Sequence, residues 1–499
     1  MRERNLPETS YVPNRETSLL CLRENLLMTN PLARRRFLKT AVQTLLAAPA
    51  FPLLAETTHK PAPHKPSAPR ESPKLTLNVR DFGATGDGTT KDTAAIQQTI
   101  DRVAVLGGGE VLIPAGDYLT GAIQLRASTL LRLAQDATLT GTPDFDDYPV
   151  TQVRWEGKWI EGHAALIYAN GVSDIGIVGA GKIIGNPALG GRPRPDSPLR
   201  HPALIEPINC ANIRLEDFST SYHLMWSIHP TLCQNITIRN LTIRSTGGNG
   251  DGIDIDSCQH VVIDRCDIST GDDCISLKSG RGEEAASQIG VNPAITTEDV
   301  TITNCTFADS IFACIGIGSE TSGGIRNVRI RDCKFTHARS YAFYIKSRTG
   351  RGAFIEDIAA TNLDISSEVA GFLHIESLKS GIQDQNPVPG DAGIPTFRNF
   401  HFSNIHVDNV PILVEATSLH PRKALTGLTL SNVTGTCQKG IFLANVKNAV
   451  FRNIDVKGYT GSLFNTWNST GIGTKDAAKI EGPKIPDDIP APAEPYKLH

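Results

Sequence analysis

One short pattern of apolar and polar residues recurs along the second half of this chain. Each copy alternates apolar with polar positions, is rich in Ile, Val and Leu, and has an Asn, Asp or Cys beside it. Such alternation predicts short β-strands. An Asn or Asp beside a strand suits a turn, because its side chain can bond the backbone and tolerates a left-handed bend. Copies occur at residues 212–218, 235–241, 260–266, 299–305, 327–333, 358–363, 400–405 and 428–433.

The spacing of these copies indicates how the strands are connected. Successive copies begin roughly 20 to 40 residues apart with no helical pattern between them, and repeats of that length stack into solenoids. A Rossmann fold or an α/β barrel would alternate strands with helices. We therefore predict an all-β fold, a single-stranded parallel β-helix, in which insertions such as residues 280–297 form loops on one face.

One amphipathic helix is predicted near the start of the repeats. Ile96 and Ile100 lie four positions apart within the segment 91–100, and Gly107 to Gly109 follow. Residues with this spacing share one face of a helix. Because the end of a solenoid exposes unpaired strand edges and apolar core, we expect this helix to cap it.

The N-terminal part of the chain predicts export. Three arginines, Arg34 to Arg36, precede a moderately apolar run over residues 41–55, a pattern typical of a twin-arginine signal. We expect Met28 to be the true start and the mature protein to be periplasmic or extracellular, without membrane contact after cleavage. The predicted divisions are an N-terminal extension and signal peptide at 1–55, a Pro-rich linker at 56–74, a β-helix domain at 75–478 and a Pro-rich tail at 479–499.

Composition narrows the classes of partner and cofactor. The 499 residues carry a formal net charge of −3, and no basic run follows the N-terminus, so a nucleic-acid partner is not expected. Ten cysteines are too few for a disulfide scaffold. Cys266, Cys305 and Cys333 fall at the same point of the repeat, which predicts a ladder of buried thiols, with one or two disulfides as an alternative. Without Cys-X-X-Cys or His-Glu-X-X-His patterns, neither a metal nor another cofactor is expected.

Two acidic clusters carry the candidate chemistry. Asp251 lies in the segment 249–254, and Asp272 and Asp273 follow it by 21 and 22 positions. In a β-solenoid one coil takes about that many residues and advances the backbone by about 4.8 Å, which would place Asp251 over the pair. Clustered carboxylates compete for protons, so a protonated acid can lie beside an ionised base. Paired carboxylates of this kind cleave glycosidic bonds.

These clusters resemble those of the pectin-cleaving family 28 glycoside hydrolases, which include polygalacturonases and rhamnogalacturonan hydrolases. The segments 249–254, 271–275, 317–320 and 344–346 occur in the order and spacing of that family, and the resemblance covers about residues 75 to 460. It implies a right-handed parallel β-helix that hydrolyses a pectic polysaccharide or oligogalacturonide. A self-contained solenoid of this kind is expected to be a monomer.

The resemblance also implies roles for individual residues. Asp272 would be the general acid, and Asp251 and Asp273 would activate water for hydrolysis with inversion. Inversion calls for carboxylates roughly 6.5 to 9.5 Å apart, which leaves room for the water. The residues expected to contact the substrate are Asn249, Lys278, Tyr344, Lys346 and Arg351.

The sequence departs from the family pattern in two places. The histidine expected before the Ile-Gly-Ser segment is absent, since Phe312 and Ala313 stand there, and Tyr344 replaces an arginine. A tyrosine cannot grip a carboxylate as an arginine fork does. If Tyr344 contacts sugar rather than packing within the sheet, the substitution favours a less charged ring, as in rhamnogalacturonan, or an exo-acting variant.

Two other classes of function remain open at this point. A pectate-lyase-like enzyme or an epimerase could use the acidic cluster to hold Ca²⁺. A non-catalytic pectin-binding β-helix would bind oligosaccharide without producing new reducing ends.

Overall fold

A computed structural model describes residues 75–189, 199–223, 225–367 and 370–485. The predicted signal peptide and linker, and the tail beyond residue 485, lie outside the described residues. The helices are α1 (Thr93–Val105) and α2 (Gly282–Ala286), with 3₁₀ turns at Val79–Phe82, Phe145–Asp147, Pro187–Leu189, Pro293–Ile295 and Gly390–Gly393. None of the helices in this part of the chain is long and apolar enough to cross a membrane.

Strands make up most of the described chain. In order they are β1 (Thr76–Asn78), β2 (Asp87–Lys91), β3 (Gly109–Ile113), β4 (Gly116–Thr120), β5 (Ile123–Gln124), β6 (Thr129–Leu133), β7 (Ala137–Gly141), β8 (Val150–Trp155), β9 (Lys158–His163), β10 (Ile167–Asn170), β11 (Ser173–Val178), β12 (Lys182–Ile184), β13 (Ile205–Ile208), β14 (Ala211–Glu216), β15 (Ser219–His223), β16 (Gln234–Arg239), β17 (Thr242–Ser245), β18 (Ile253–Asp256), β19 (Gln259–Asp264), β20 (Asp267–Ser269), β21 (Ile275–Lys278), β22 (Thr297–Thr303), β23 (Thr306–Ala308), β24 (Ala313–Ile317), β25 (Ile325–Ala338), β26 (Tyr341–Lys346), β27 (Phe354–Ser367), β28 (Gly371–Glu376), β29 (Thr396–Ser418), β30 (Leu425–Ala444), β31 (Val446–Lys447), β32 (Ala449–Lys457), β33 (Phe464–Trp467), β34 (Gly471–Ile472) and β35 (Ala478–Lys479).

Each coil pairs in parallel with the coils before and after it. Strands β14, β16, β19 and β22 form sheet A, and β15, β17, β20 and β23 form sheet B. Strands β18, β21, β24, β26 and β28 form sheet C. The chain visits the three sheets in the same order in successive coils, which confirms the predicted parallel β-helix.

The interior consists of rows of apolar side chains. In sheet A, Ile236 pairs with Val261, Val261 with Val300, and Val300 with Val328, and all four are buried. Such rows exclude water continuously along the solenoid, because each coil covers the apolar face of the next.

The turns between sheets follow the chemistry predicted for them. Asn212 and Asn235 have positive φ angles of 57° and 56°, a conformation that Asn tolerates better than most residues. The Nδ2 group of Asn235 donates to Oδ1 of Asn212 at 3.0 Å, and Asn212 donates to Asp174 at 2.9 Å. These polar ladders hold equivalent turns in register from coil to coil.

The cysteines also stack. The nine cysteines of the described residues are buried free thiols, which confirms the predicted thiol positions for Cys266, Cys305 and Cys333. In a second ladder, the backbone N–H of Cys210 donates to Sγ of Cys233 at 3.3 Å.

Helix α1 caps the solenoid as predicted. Ile96 and Ile100 are fully buried and pack into the main hydrophobic core. The side chain of Asp92, just before the helix, accepts from the backbone N–H groups of Thr85 and Gly86. It thereby ties the preceding turn to the start of the helix.

We expect Ile100→Ala to lower the free energy of unfolding by about 2 to 5 kcal/mol, the usual cost of a buried Ile-to-Ala cavity. Val105→Ala is the control, because Val105 in the same helix is 78% exposed. Thermal and urea unfolding of both variants measure the effect. Equal stability of the two variants would contradict the capping role of α1.

Candidate active site

Parallel pairing of β18 with β21 brings the acidic clusters together. Ile253 lies beside Ile275, and the backbone N–H of Gly252 donates to the carbonyl of Asp273 at 3.0 Å. Asp251 precedes β18, while Asp272 and Asp273 precede β21, so all three reach the same edge of sheet C. One carboxylate oxygen of each lies within 4.8 Å of the others.

This spacing is closer than the sequence analysis expected. A gap of roughly 6.5 to 9.5 Å was expected for an inverting pair, whereas these oxygens lie within 4.8 Å of one another. The expected gap is wrong for the nearest oxygens, because the two coils are only one strand spacing apart and their acidic turns point the same way. The distance alone therefore does not decide the stereochemistry.

Asp273 contacts one cation and one backbone N–H group. Its Oδ2 atom lies 3.0 Å from Nζ of Lys346, and its Oδ1 accepts from the backbone N–H of Ala313 at 3.1 Å. The carboxylate is buried, so both contacts act away from bulk water. A charge-assisted pair in such a place is stronger than one at the surface.

The environment of Asp272 favours the protonated form of its carboxyl group. It is half-buried, and its Oδ1 accepts from the backbone N–H of Asp273 at 2.9 Å. Burial and then the negative charge of Asp273 raise the pKa of Asp272, and these outweigh the lowering effect of Lys346. A carboxyl that keeps its proton beside an ionised neighbour suits proton donation.

Asp251 and Asp254 form a second acidic pair behind the first. Both are buried. Burial, Asp254 and Asp272 raise the pKa of Asp251 well above its ordinary value, and burial raises the pKa of Asp254 to about 8. The raised pKa values of this buried pair favour a proton on at least one of the two carboxyls.

Lys278 lies among these carboxylates. Its Nζ is 3.5 Å from Asp254 Oδ1 and 3.4 Å from Glu320 Oε2. Burial lowers the pKa of Lys278, but Glu320 and Asp254 outweigh burial and raise it well above its ordinary value. Burial likewise raises the pKa of Glu320, yet Lys278 and Arg351 hold that pKa down at about 2. The ammonium therefore neutralises a permanent anion beneath the site.

The other predicted substrate contacts fall in different places. Lys346 and Tyr344 lie on β26 beside the carboxylates, with Lys346 Nζ 5.1 Å from the Tyr344 ring centroid. Asn249 is half-buried in the turn before Asp251, with φ of 77°. The structure thus brings Tyr344 and Lys346 to the site, and it places Asn249 in the turn that leads to Asp251.

Arg351 requires a correction. Its side chain is fully buried, and it donates to the backbone carbonyls of Ser319 at 3.0 Å and Ile382 at 2.6 Å. Burial lowers its pKa to about 9. The guanidinium fastens two loops to each other instead of facing a substrate, so the predicted contact is wrong.

Two features of the site were missed by the sequence analysis. Phe312 is 40% exposed, and Nζ of Lys346 lies 4.3 Å from its ring centroid. The sequence did contain a signal for Phe312, because this residue stands where the family pattern has a histidine. The hairpin β8–β9 has no such signal, because its tip reaches the site from a distant part of the sequence.

This hairpin forms one wall beside the site. Trp155 stacks on Trp226 at 4.6 Å between ring centroids, and Arg154 Nε lies 3.1 Å from Asp256 Oδ2. A Cβ atom on Gly157 would lie 2.9 Å from Cβ of Arg281, so the tip packs tightly against the coil after β21. Trp226 is buried, so it packs within the protein and does not present a ring face to a sugar.

Within the part of the chain that the structure describes, Asp251, Asp272 and Asp273 are close enough to share a cation. Lys346 already pairs with Asp273, and the raised pKa values of Asp251 and Asp272 favour protons at this point. The donor set therefore fits acid–base chemistry better than metal binding.

Clustered carboxylates at a sheet edge provide the pair of acidic groups that glycoside hydrolysis requires. The sequence matches the family described as "Glycosyl hydrolases family 28" over residues 107–377, more than half of the chain, and the protein belongs to this family. It is therefore a glycoside hydrolase.

Known relatives cover much of the chain. A probable polygalacturonase from Vitis vinifera is 29% identical over 404 residues, 78% of this chain and 79% of the relative. An exo-poly-alpha-D-galacturonosidase from Dickeya chrysanthemi is 29% identical over 308 residues, 51% of this chain and 49% of the relative.

Solved structures show the same fold. The family 28 exopolygalacturonase of Yersinia enterocolitica has a TM-score of 0.67 at 22% identity, covering 82% of this chain and 79% of that one. The exopolygalacturonase of Thermotoga maritima has a TM-score of 0.66 at 23% identity, covering 77% and 92%. These likenesses confirm the right-handed parallel β-helix.

We expect Gly316→Ala to reduce kcat by about 10²-fold or more, because misplacing a reacting group by about 1 Å has that effect. A Cβ atom there would lie 2.5 Å from Oδ2 of Asp273 and displace the carboxylate from Lys346. Steady-state kinetics on a pectic substrate measure the loss, and Tm reports the integrity of the fold. Unchanged kcat would show that the position of Asp273 is not critical.

Proposed function

We propose that this enzyme hydrolyses glycosidic bonds in a pectic polysaccharide or oligogalacturonide, with Asp272 as the general acid. The observation that carries the proposal is the contrast between two adjacent carboxyls. Asp272 has a raised pKa and is half-buried, whereas Asp273 is paired with Lys346 at 3.0 Å. The names of the relatives, a polygalacturonase and an exo-poly-alpha-D-galacturonosidase, support the substrate class.

The reaction follows from these protonation states. Asp272 gives its proton to the glycosidic oxygen as the bond between that oxygen and the anomeric carbon breaks. A water oxygen bonds to the same carbon, and Asp273 accepts the proton that the water loses. Asp251, whose carboxyl has a raised pKa and lies within 4.8 Å of the other two, orients this water. Lys346, 3.0 Å from Asp273, holds this carboxylate in place.

The proposal also includes inversion of the anomeric configuration and cleavage from the end of the polysaccharide chain. For inversion the water must lie beside the carboxylate cluster, since the nearest oxygens are within 4.8 Å and leave little room between them. Exo action is supported by the exopolygalacturonases among the structures with the same fold. The anomer of the first product, followed by NMR, and the size distribution of early products test these two points.

Export is also part of the proposal. The arginine-rich segment at 34–36 and the apolar run that follows it support a twin-arginine signal, and a pectic substrate lies outside the cell. N-terminal sequencing of protein recovered from the periplasm or medium tests it. A mature N-terminus within the first 33 residues would contradict this signal.

We expect Asp272→Asn to lower kcat by about 10² to 10⁴-fold, the usual contribution of general acid catalysis. Asp364→Asn, at an exposed position on β27, is the matched control and keeps wild-type activity. The assay follows reducing ends and unsaturated products from polygalacturonan and rhamnogalacturonan, with and without a chelator.

Reducing ends without unsaturation, produced equally with the chelator, support hydrolysis. Unsaturated products that disappear with the chelator would instead identify a Ca²⁺-dependent lyase. Tight oligosaccharide binding without any product would identify a non-catalytic β-helix.

Lys346→Met tests how charge sets the working pH. Activity should fall as pH rises through the raised pKa of Asp272, because the acid then loses its proton. Burial and Asp273 raise that pKa while Lys346 lowers it, so removing the lysine should move the alkaline limb of kcat/KM to higher pH and reduce the maximum. Lys457→Met, on an exposed lysine of β32, is the control. An alkaline limb that stays in place or moves to lower pH would contradict Asp272 as the acid.

A further inference from the structure

A row of aromatic side chains begins directly beside the catalytic carboxylates. In sheet C, Gly316 pairs with Tyr344, Tyr344 with His374, and His374 with Glu415. Residues paired in parallel strands project from the same face of a sheet. Because the space above Gly316 is filled by Oδ2 of Asp273, this row continues the site along the solenoid axis.

The aromatic rings contact each other. Phe312 lies 5.6 Å from Tyr344, Tyr344 lies 4.7 Å from His374, and Tyr341 lies 4.7 Å from His374, measured between ring centroids. We call Phe312, Tyr341, Tyr344 and His374 the aromatic row. Phe312, 40% exposed, offers a ring edge or face at the end nearest Asp273, where the apolar face of a sugar can pack.

The charges beside the aromatic row are negative. The Tyr344 hydroxyl donates to Oε1 of Glu376, and the Tyr341 hydroxyl donates to Oε2 of Glu415. Nδ1 of His374 lies 3.2 Å from the same Glu415 oxygen. Burial, together with these carboxylates, raises the pKa of both tyrosines, so the phenols stay neutral. Each carboxylate has two oxygens, and Glu376 and Glu415 can therefore also accept hydrogen bonds from sugar hydroxyls.

Among the described residues, three of the cations near this point are already engaged. Lys346 pairs with Asp273, and Lys278 with Asp254 and Glu320. Arg348 is buried and donates to the carbonyl of Gly381. Lys439 acts on Glu415 from the next coil and lowers its pKa, which offsets that carboxylate. A free uronate carboxylate beside Tyr344 would therefore lie next to Glu376 and to a lysine that is already paired with Asp273.

We propose that the aromatic row is a subsite for a sugar ring that has no free carboxylate, either a neutral sugar or a methyl-esterified galacturonate. The proposal rests on the proposed function, because it extends the same cleft. Phe312 packs against the ring, Tyr344 excludes a carboxylate, and Glu376 and Glu415 accept hydrogen bonds from hydroxyls. Tyr344 is then a specificity-determining residue of this hydrolase.

The test compares kcat/KM for three sets of oligosaccharides, cleaved by the full-length enzyme. These are unesterified oligogalacturonides, methyl-esterified oligogalacturonides and rhamnogalacturonan oligomers. We expect kcat/KM of the wild-type enzyme to be about tenfold higher or more for the methyl-esterified oligogalacturonides or for the rhamnogalacturonan oligomers than for the unesterified oligogalacturonides. The reason is that a free carboxylate would be an unpaired charge in this polar subsite. Which of the two it prefers distinguishes a methyl ester from a neutral sugar.

Three variants separate specificity from folding. Tyr344→Arg should reverse the preference, mainly by lowering KM for the unesterified oligomers. Glu376→Gln, which keeps the shape of the side chain, should shift the preference in the same direction by a smaller factor and serves if Tyr344→Arg fails to fold. Tyr344→Phe, which adds no charge, should keep the wild-type order of substrates.

A wild-type preference for unesterified oligogalacturonides would overturn the inference while leaving the proposed function intact. So would a ratio of kcat/KM values that neither Tyr344→Arg nor Glu376→Gln changes. Failure of the wild-type enzyme to cleave any of the three would overturn the proposed function, and this subsite with it.

Discussion

In-register pairing between successive coils is the constraint on which the rest of this structure depends. Backbone hydrogen bonds place equivalent positions one strand spacing apart, so that each kind of side chain forms a row. Apolar rows make the core, Asn ladders fix the turns and thiol ladders fill small gaps. The same pairing of β18 with β21 brings Asp251 over the Asp272–Asp273 pair and sets the short distance between their carboxylates.

That short distance creates an electrostatic problem that the site resolves with protons and two lysines. Four aspartates and Glu320 lie around Lys278 and Lys346. Burial is the largest influence on Asp251, Asp254 and Asp272 and raises the pKa of each. Glu320, whose pKa is held down at about 2 by Lys278 and Arg351, provides a permanent negative charge, and Asp273 pairs with Lys346. Different protonation states thus arise among chemically identical groups because their neighbours differ.

The two departures from the family pattern meet in space. Phe312 and Tyr344 are neighbouring rings that both lie beside the Lys346 ammonium, with ring centroids 4.3 Å and 5.1 Å from its Nζ. An arginine in place of Tyr344 would add a second cation beside Lys346. The chain has instead neutral rings there, while Glu376 and Glu415 orient the phenols. The acid–base groups are retained and the surface next to them is altered, which separates catalysis from substrate choice.

The sequence by itself determined the solenoid, its helix cap and the meeting of the acidic clusters, because these depend on local periodicity and on the length of one coil. Ile96 and Ile100 and the 21-position spacing from Asp251 to Asp272 were sufficient for those predictions. Only the tertiary structure decided that Arg351 is buried against backbone carbonyls, that the hairpin β8–β9 walls the site and that Asp254 and Glu320 surround Lys278. These features depend on contacts between residues far apart in the chain and on how much water each charge loses, neither of which a linear pattern records.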